Sequence, residues 1–119
     1  MFKIMIVDDS PEILEALQLI FELEDYDVVV ADSGHAIIQK VYLHQPDIIL
    51  LDIMLGDFDG RDICREIKDD DMIKKIPIIM ISSTHGINTF LQLKCKPDGY
   101  MAKPFNVAEL TALVASKLA

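Results

Sequence analysis

At 119 residues the chain has the length of one domain, and with 51% hydrophobic residues it can bury a core without needing staples. Its 20 acidic and 11 basic residues leave a net charge of −9, which speaks against nucleic acid as a direct partner, because phosphate backbones are met by clustered Lys and Arg. Charges interrupt the apolar stretches before any reaches membrane-span length, and MFKIMIV runs straight into Asp8-Asp9 without a cleavage site, so no membrane role and a cytoplasmic location are expected.

The first apolar run, Phe2–Val7, reads as a strand followed at once by Asp8-Asp9-Ser10-Pro11. Ser10 suits an N-cap and Pro11 a first helical turn, where its missing N–H costs nothing. Ile13, Leu14, Leu17, Ile20 and Phe21 then recur at helical spacing until Asp25-Tyr26-Asp27 breaks the pattern. Val28–Val30 is a second strand. Ser33-Gly34 opens a second predicted helix carrying Ala36, Ile37, Val41 and Leu43, closed by Gln45-Pro46.

Ile48–Leu51 is apolar at every residue, as expected for a parallel strand buried on both faces, and it ends at Asp52. A loop with Gly56, Asp57, Asp59 and Gly60 leads to a helix bearing Ile63, Cys64 and Ile67. Asp57, Asp59 and the run Asp69-Asp70-Asp71 read as solvated charges. Pro77 precedes a fourth strand, Ile78–Ile81, ending at Ser82-Ser83, and a short helix is predicted through Phe90, Leu91 and Leu93. Pro97-Asp98-Gly99 turns the chain into a fifth strand, Tyr100–Lys103. Asn106 and Glu109 form a capping box for a last helix with Leu110, Leu113, Val114 and Leu118 on its apolar face. Cys64 and Cys95 fall in different predicted elements and are too few for a disulfide framework; free thiols are expected.

Strand and helix alternate five times, with connections that only crossover helices can make. The expected fold is α/β, a doubly wound five-stranded parallel sheet flanked by five helices, in one domain over 1–119 with no effector domain. Ligands of such sheets bind beyond the carboxyl ends of the strands, where strand order reverses. There the first strand delivers Asp8 and Asp9, the third Asp52, the fourth Ser82 and the fifth Lys103.

Two unit charges about 4 Å apart repel by roughly 4 kcal/mol at an effective dielectric near 20, so three clustered carboxylates call for more positive charge than Lys103 supplies. A hard divalent cation with oxygen ligands fits, Mg²⁺ being the cellular default; the absence of His and Cys at these strand ends disfavours zinc. A carboxylate beside such a cation and an ammonium can attack a phosphoryl group. Asp52, alone at its strand end, is the best-placed acceptor, and Asp8-Asp9 the metal-holding pair.

The runs IMIVDDS, DIILLDIMLGDFDG, PIIMISS and YMAKPF together resemble the receiver domains of response regulators, in order and over essentially the whole chain. That resemblance implies the flavodoxin-like strand order 2-1-3-4-5 and a switch rather than an enzyme acting on other substrates. It implies that Asp52 accepts the phosphoryl group from a sensor histidine kinase or a histidine phosphotransfer protein, and that a downstream protein or effector domain reads the result. Asp8, Asp9, Asp52 and the Met54 carbonyl would hold Mg²⁺. Ser82 and Lys103 would contact the phosphoryl group, Lys103-Pro104 would carry a cis bond, Tyr100 would swing with the hydroxyl-bearing loop, and Met54 and Thr84 would set phosphoryl lifetime. Homodimerisation on phosphorylation is compatible with the family.

Three positions depart from the pattern. Gly56 stands where most receivers have proline, Lys96-Pro97 replaces a small pair, and the stretch between Ser82 and Tyr100 is one residue short, so dimer geometry does not carry over. Two other readings use the same residues: a receiver-like binding module that works without phosphorylation, and a metal-dependent phosphatase with an aspartyl nucleophile. The phosphatase reading lacks the second acid such enzymes carry two positions on, where this chain has Met54.

Overall fold

In a computed structural model describing residues 1–82 and 95–119, the elements run β1 (Lys3–Val7), α1 (Pro11–Leu23), β2 (Asp27–Ala31), α2 (Ile37–His44), β3 (Ile48–Asp52), β4 (Met54–Leu55), β5 (Phe58–Asp59), α3 (Gly60–Lys68), β6 (Ile78–Ser82), β7 (Gly99–Ala102) and α4 (Val107–Leu118). Five strands form one parallel sheet in the order β2-β1-β3-β6-β7, the doubly wound topology expected, with β4 and β5 as a separate small hairpin. The helix predicted through Phe90, Leu91 and Leu93 lies outside the described residues, and four helices are described. Among the described residues, no helix is long and apolar enough to cross a membrane.

Strand alternation sorts the core into two layers. Ile4, Ile6, Ile48, Leu50, Ile79 and Ile81 face α1 and α4, where Leu14, Leu17, Phe21, Leu110 and Val114 close over them. Met5, Val7, Ile49, Leu51, Ile78 and Met80 face the other way, against Ile37 and Val41 of α2 and Ile63, Cys64 and Ile67 of α3. This double burial is why β3 and β6 are apolar without the polar alternation of a half-exposed strand. Ser10 caps α1 by accepting the Ile13 N–H, and Asn106 caps α4 by accepting the Glu109 N–H, both as their sequences require.

Several local expectations are corrected. Helix α2 does not open at Ser33-Gly34: Ser33 instead accepts the His35 N–H, Ala36 takes a left-handed conformation (φ 58°), and regular helix begins at Ile37. Leu43 is not on the buried face but 77% exposed. The loop after Asp52 contains a two-residue hairpin, turned at Gly56 (φ 65°), with Leu55 buried beneath it. Asp59 is not merely solvated. Its carboxylate accepts the Arg61 N–H at the start of α3 and pairs with the Arg61 guanidinium, which holds its pKa below the usual carboxylate value. Asp70 likewise accepts the Tyr42 hydroxyl, tying α2 to the end of α3. Cys64 and Cys95 are not free thiols. They are both buried and joined by a disulfide, Cα–Cα 6.0 Å apart.

Gly60 opens α3 where the helix meets the site strand. A Cβ on it would lie 2.1 Å from the Asp52 carbonyl oxygen, and its N–H donates to the Ile53 carbonyl at 2.7 Å. Neither neighbour is a flexible side-chain tip, so any larger residue must displace backbone. Gly60→Ala is expected to destabilise the fold by about 1–3 kcal/mol, seen as a lower urea midpoint with an unchanged denaturant slope.

Candidate functional site

The order of the sheet places the site. The chain passes from β1 outward to β2 and then returns to the opposite side of β1 as β3, so strand order reverses between β1 and β3. Register pairs Val7 with Leu51, so Asp8 and Asp52 follow one another across that crevice. Asp52 pairs with Ile81, and Ser82 with Ala102, which brings Ser82 and Lys103 to the same edge from β6 and β7.

The side chains meet as the sequence predicts. One carboxylate oxygen from each of Asp8, Asp9 and Asp52 lies within 4.8 Å of the other two. Asp8 and Asp52 are buried, at 1% and 4% exposure, whereas Asp9 is exposed. Lys103 Nζ donates to Asp8 at 2.9 Å and to Asp52 at 3.1 Å. The Ser10 N–H donates to Asp8 at 2.9 Å, and the Met54 N–H donates to Asp52 at 3.3 Å. Lys103 is itself held by its own N–H, donated to the Ser82 carbonyl, and is followed by a cis bond to Pro104. Ser82 is buried at 4% exposure at the end of β6.

The remaining predicted residues are placed less centrally. Met54 begins β4 with its side chain 71% exposed, so its share in the site is the backbone. Tyr100, in β7, is half-buried and packs on the layer that contains α2 and α3. Pro104 is exposed. Thr84 lies outside the described residues. Sequence reasoning missed the Ser10 N–H, which fixes Asp8 in a local turn, and Gly60, whose lack of a Cβ lets α3 approach Asp52. An Asp two residues before Ser10, and a glycine closing an acidic loop before a helical pattern, were the available signals.

The electrostatics are those of an acidic cluster with too little positive charge. Among the described residues, three carboxylates face one ammonium. Burial raises the Asp52 pKa above its ordinary 3.8, and repulsion by Asp8 adds to the rise; the hydrogen bond and charge of Lys103 and the Met54 N–H oppose it. For Lys103, burial works to lower the pKa, but hydrogen bonds to Asp8 and Asp52 and the attraction of both carboxylates leave it above 10.5. Hard oxygen donors, one of them exposed beside two buried ones, and an excess of negative charge suit a divalent cation such as Mg²⁺.

The folded carboxyl of Asp52 holds its proton more tightly than the unfolded one. Stability is therefore lost as pH rises from the ordinary carboxylate range through the raised folded value. The Lys103 contribution has the same sign at the alkaline end, complete below 10.5 and lost as pH climbs through its folded value. In chelator, Asp52→Asn should stabilise the protein at pH 7 by on the order of 1 kcal/mol, a gain that disappears in acid once wild-type Asp52 is protonated. Lys103→Met should instead cost about 3 kcal/mol at pH 7, because two buried carboxylates lose their counter-charge. Urea midpoints measured across pH check both.

The family model described as the response regulator receiver domain matches residues 4–115. Solved structures align over nearly the whole chain. The signal receiver domain of a signal transduction histidine kinase from Syntrophus aciditrophicus is 28% identical with TM-score 0.91, covering 99% of this chain and 90% of that one. The BeF3-activated N-terminal receiver domain of Klebsiella pneumoniae RstA is 30% identical with TM-score 0.85, covering 98% and 97%. The receiver domain of sensor histidine kinase PA1611 from Pseudomonas aeruginosa PAO1, with a magnesium ion coordinated in its active-site cleft, is 25% identical with TM-score 0.88, again covering 98% and 97%. A match running from β1 into α4, on a fold whose switch point gathers Asp8, Asp9, Asp52, Ser82 and Lys103, establishes that this chain belongs to the response regulator receiver domain family.

Proposed function

We propose that this domain is a phosphorylation switch of a two-component pathway, in which Asp52 accepts a phosphoryl group from the phosphohistidine of a sensor histidine kinase or histidine phosphotransfer protein. The observation that carries the reading is the bridge from Lys103 Nζ to both Asp8 and Asp52, beside the exposed carboxylate of Asp9. The domain acts over residues 1–119 in the cytoplasm, and its output passes to a downstream protein or effector domain.

In the transfer, an Asp52 carboxylate oxygen attacks phosphorus, the phosphorus–nitrogen bond of the donor breaks, and the imidazole leaves with the electron pair. Asp8, Asp9, Asp52 and the Met54 carbonyl would hold Mg²⁺, whose chemistry when bound is neutralisation of the phosphoryl oxygens. Lys103 adds a second positive charge on the same side. Its ammonium already lies 3.1 Å from the Asp52 carboxylate, so a short rotation of the side chain carries it to a phosphoryl oxygen. The Ser82 hydroxyl, at the adjacent strand end, donates to another. Tyr100 is the residue through which the change would spread, Met54 and Thr84 would set phosphoryl lifetime, and Pro104 follows Lys103 through a cis bond.

Switching requires that these contacts favour one conformation. Moving a population from 1:99 to 99:1 takes about 5.5 kcal/mol, which two charge-assisted contacts and a cation are able to supply. A phosphatase acting on external substrates is disfavoured because the residue two positions after Asp52 is Met54, which offers no carboxylate for acid–base work. A binding module that works without phosphorylation would keep its partner when Asp52 is replaced by Asn.

Incubation with a small phosphodonor and Mg²⁺ is expected to add one phosphoryl unit by intact mass, lost in Asp52→Ala and in chelator. No gain with any donor or metal would overturn the switch. Asp9→Asn should weaken Mg²⁺ binding by at least about tenfold with little change in fold stability, because the exposed Asp9 carboxylate serves the cation more than the core. Calorimetric titration with Mg²⁺ reads it directly.

A further inference from the structure

Cys64 and Cys95 take no part in the acidic site, yet the disulfide between them spans 31 residues of sequence and joins α3 to the segment that enters β7, both of which lead to that site. Cys64 lies on the buried face of α3 with Gly60, Ile63 and Ile67, at helical spacing. At its start this helix rests on the Asp52 carbonyl through Gly60. Cys95 lies just ahead of the turn into β7, and β7 runs directly into Lys103. A closed circuit results, from Asp52 through α3, across the disulfide, along β7 to Lys103 and back to Asp52 by an ion pair.

We propose that Cys64 and Cys95 form a redox-modification site, a reversible dithiol–disulfide couple that exchanges with a small disulfide of the glutathione class and fastens α3 to the segment entering β7.

Three observations support this. The Cα atoms are 6.0 Å apart, within the range a disulfide bridges without backbone movement. Cys95 is 6% exposed and Cys64 0%, so the two sulfurs are unequal in access, with Cys95 the one an incoming disulfide meets first. Helix α3 and the segment entering β7 are also joined non-covalently. Lys68 Nζ in α3 donates to Asp98 at 2.7 Å, and Asp98 in turn accepts the Ile78 N–H at 2.8 Å. The pairing therefore survives reduction, which keeps the thiols near one another and makes re-closure intramolecular.

The exchange balances without a further reactant. The Cys95 thiolate attacks glutathione disulfide, breaking its sulfur–sulfur bond and releasing one glutathione thiolate. The Cys64 thiolate then attacks the mixed disulfide at Cys95 and displaces the second glutathione. The two cysteines lose two electrons, glutathione disulfide gains them, and the two thiol protons pass through solvent to the two glutathione thiolates. Reduction by an excess of thiol runs the same steps backward.

The test uses the whole wild-type chain, equilibrated across ratios of reduced to oxidised glutathione, quenched in acid, alkylated and weighed. Loss of both alkylation sites together as the oxidised fraction rises, reversed by a dithiol, is the expected result. Hydrogen exchange is then compared between the fully reduced and fully oxidised protein. On reduction, exchange over residues 60–68 and 99–102 should quicken by ~10-fold while α1, on the opposite layer, is unchanged. In Cys95→Ala, exchange should no longer respond to glutathione. Two thiols that alkylate at every ratio, a glutathione adduct on Cys95 that Cys64 never resolves, or protection identical in the two states would each overturn the proposal.

Discussion

The ammonium of Lys103 reaches two carboxylates that are almost wholly withdrawn from water, Asp8 and Asp52, and the other features of the site are arranged around that contact. Taking two anions out of water at the end of a hydrophobic sheet is costly, and a single cation between them recovers part of the loss. The remainder persists as the raised proton affinity of Asp52 and as an excess of negative charge with Asp9. A site left short of positive charge suits a divalent cation, as the proposed function requires. The same imbalance that weakens the fold in isolation gives the site its chemistry.

Backbone geometry keeps these charges in place. Asp8 is pinned by the Ser10 N–H, Asp52 by the Met54 N–H, and Lys103 by the Ser82 carbonyl on the adjoining strand. The Lys103 ammonium itself sits at the end of a long side chain and is held there by Asp8 and Asp52. Gly60 contributes by what it lacks, since the helix that supports the Asp52 loop reaches the strand only where no Cβ intervenes. Positioning of this kind, built on strand ends and a helix start, is more exact than a site carried on loops alone.

Much of the fold was legible because parallel strands buried on both faces leave unmistakable apolar runs, as in Ile48–Leu51 and Ile78–Ile81. Polar capping residues marked the starts of α1 and α4 with equal clarity. Legibility failed where local preference and tertiary demand diverged. Ser33-Gly34 resembles a helix start, yet the chain needs two more residues, ending in the left-handed Ala36, before α2 can lie on the sheet. Leu43 has the right spacing for a core residue but belongs to a short helix whose burial is carried by Ile37 and Val41. The hairpin at Gly56 is too brief to leave a periodic signal.

The order of apolar runs, the acids that end the first and third, and the lysine that ends the fifth were properties of the sequence alone. Together they determined the doubly wound topology, and with it the meeting of Asp8, Asp9, Asp52, Ser82 and Lys103, because a parallel sheet brings all its carboxyl strand ends to one edge. Tertiary structure alone decided which of the acids are buried and which exposed, since burial depends on neighbours from other elements. It also decided that Asp59 caps a helix, that Asp70 accepts from Tyr42, and that Cys64 and Cys95 are bonded. Such contacts join residues whose approach is set by helix packing on the sheet, a distance that spacing along the chain does not encode.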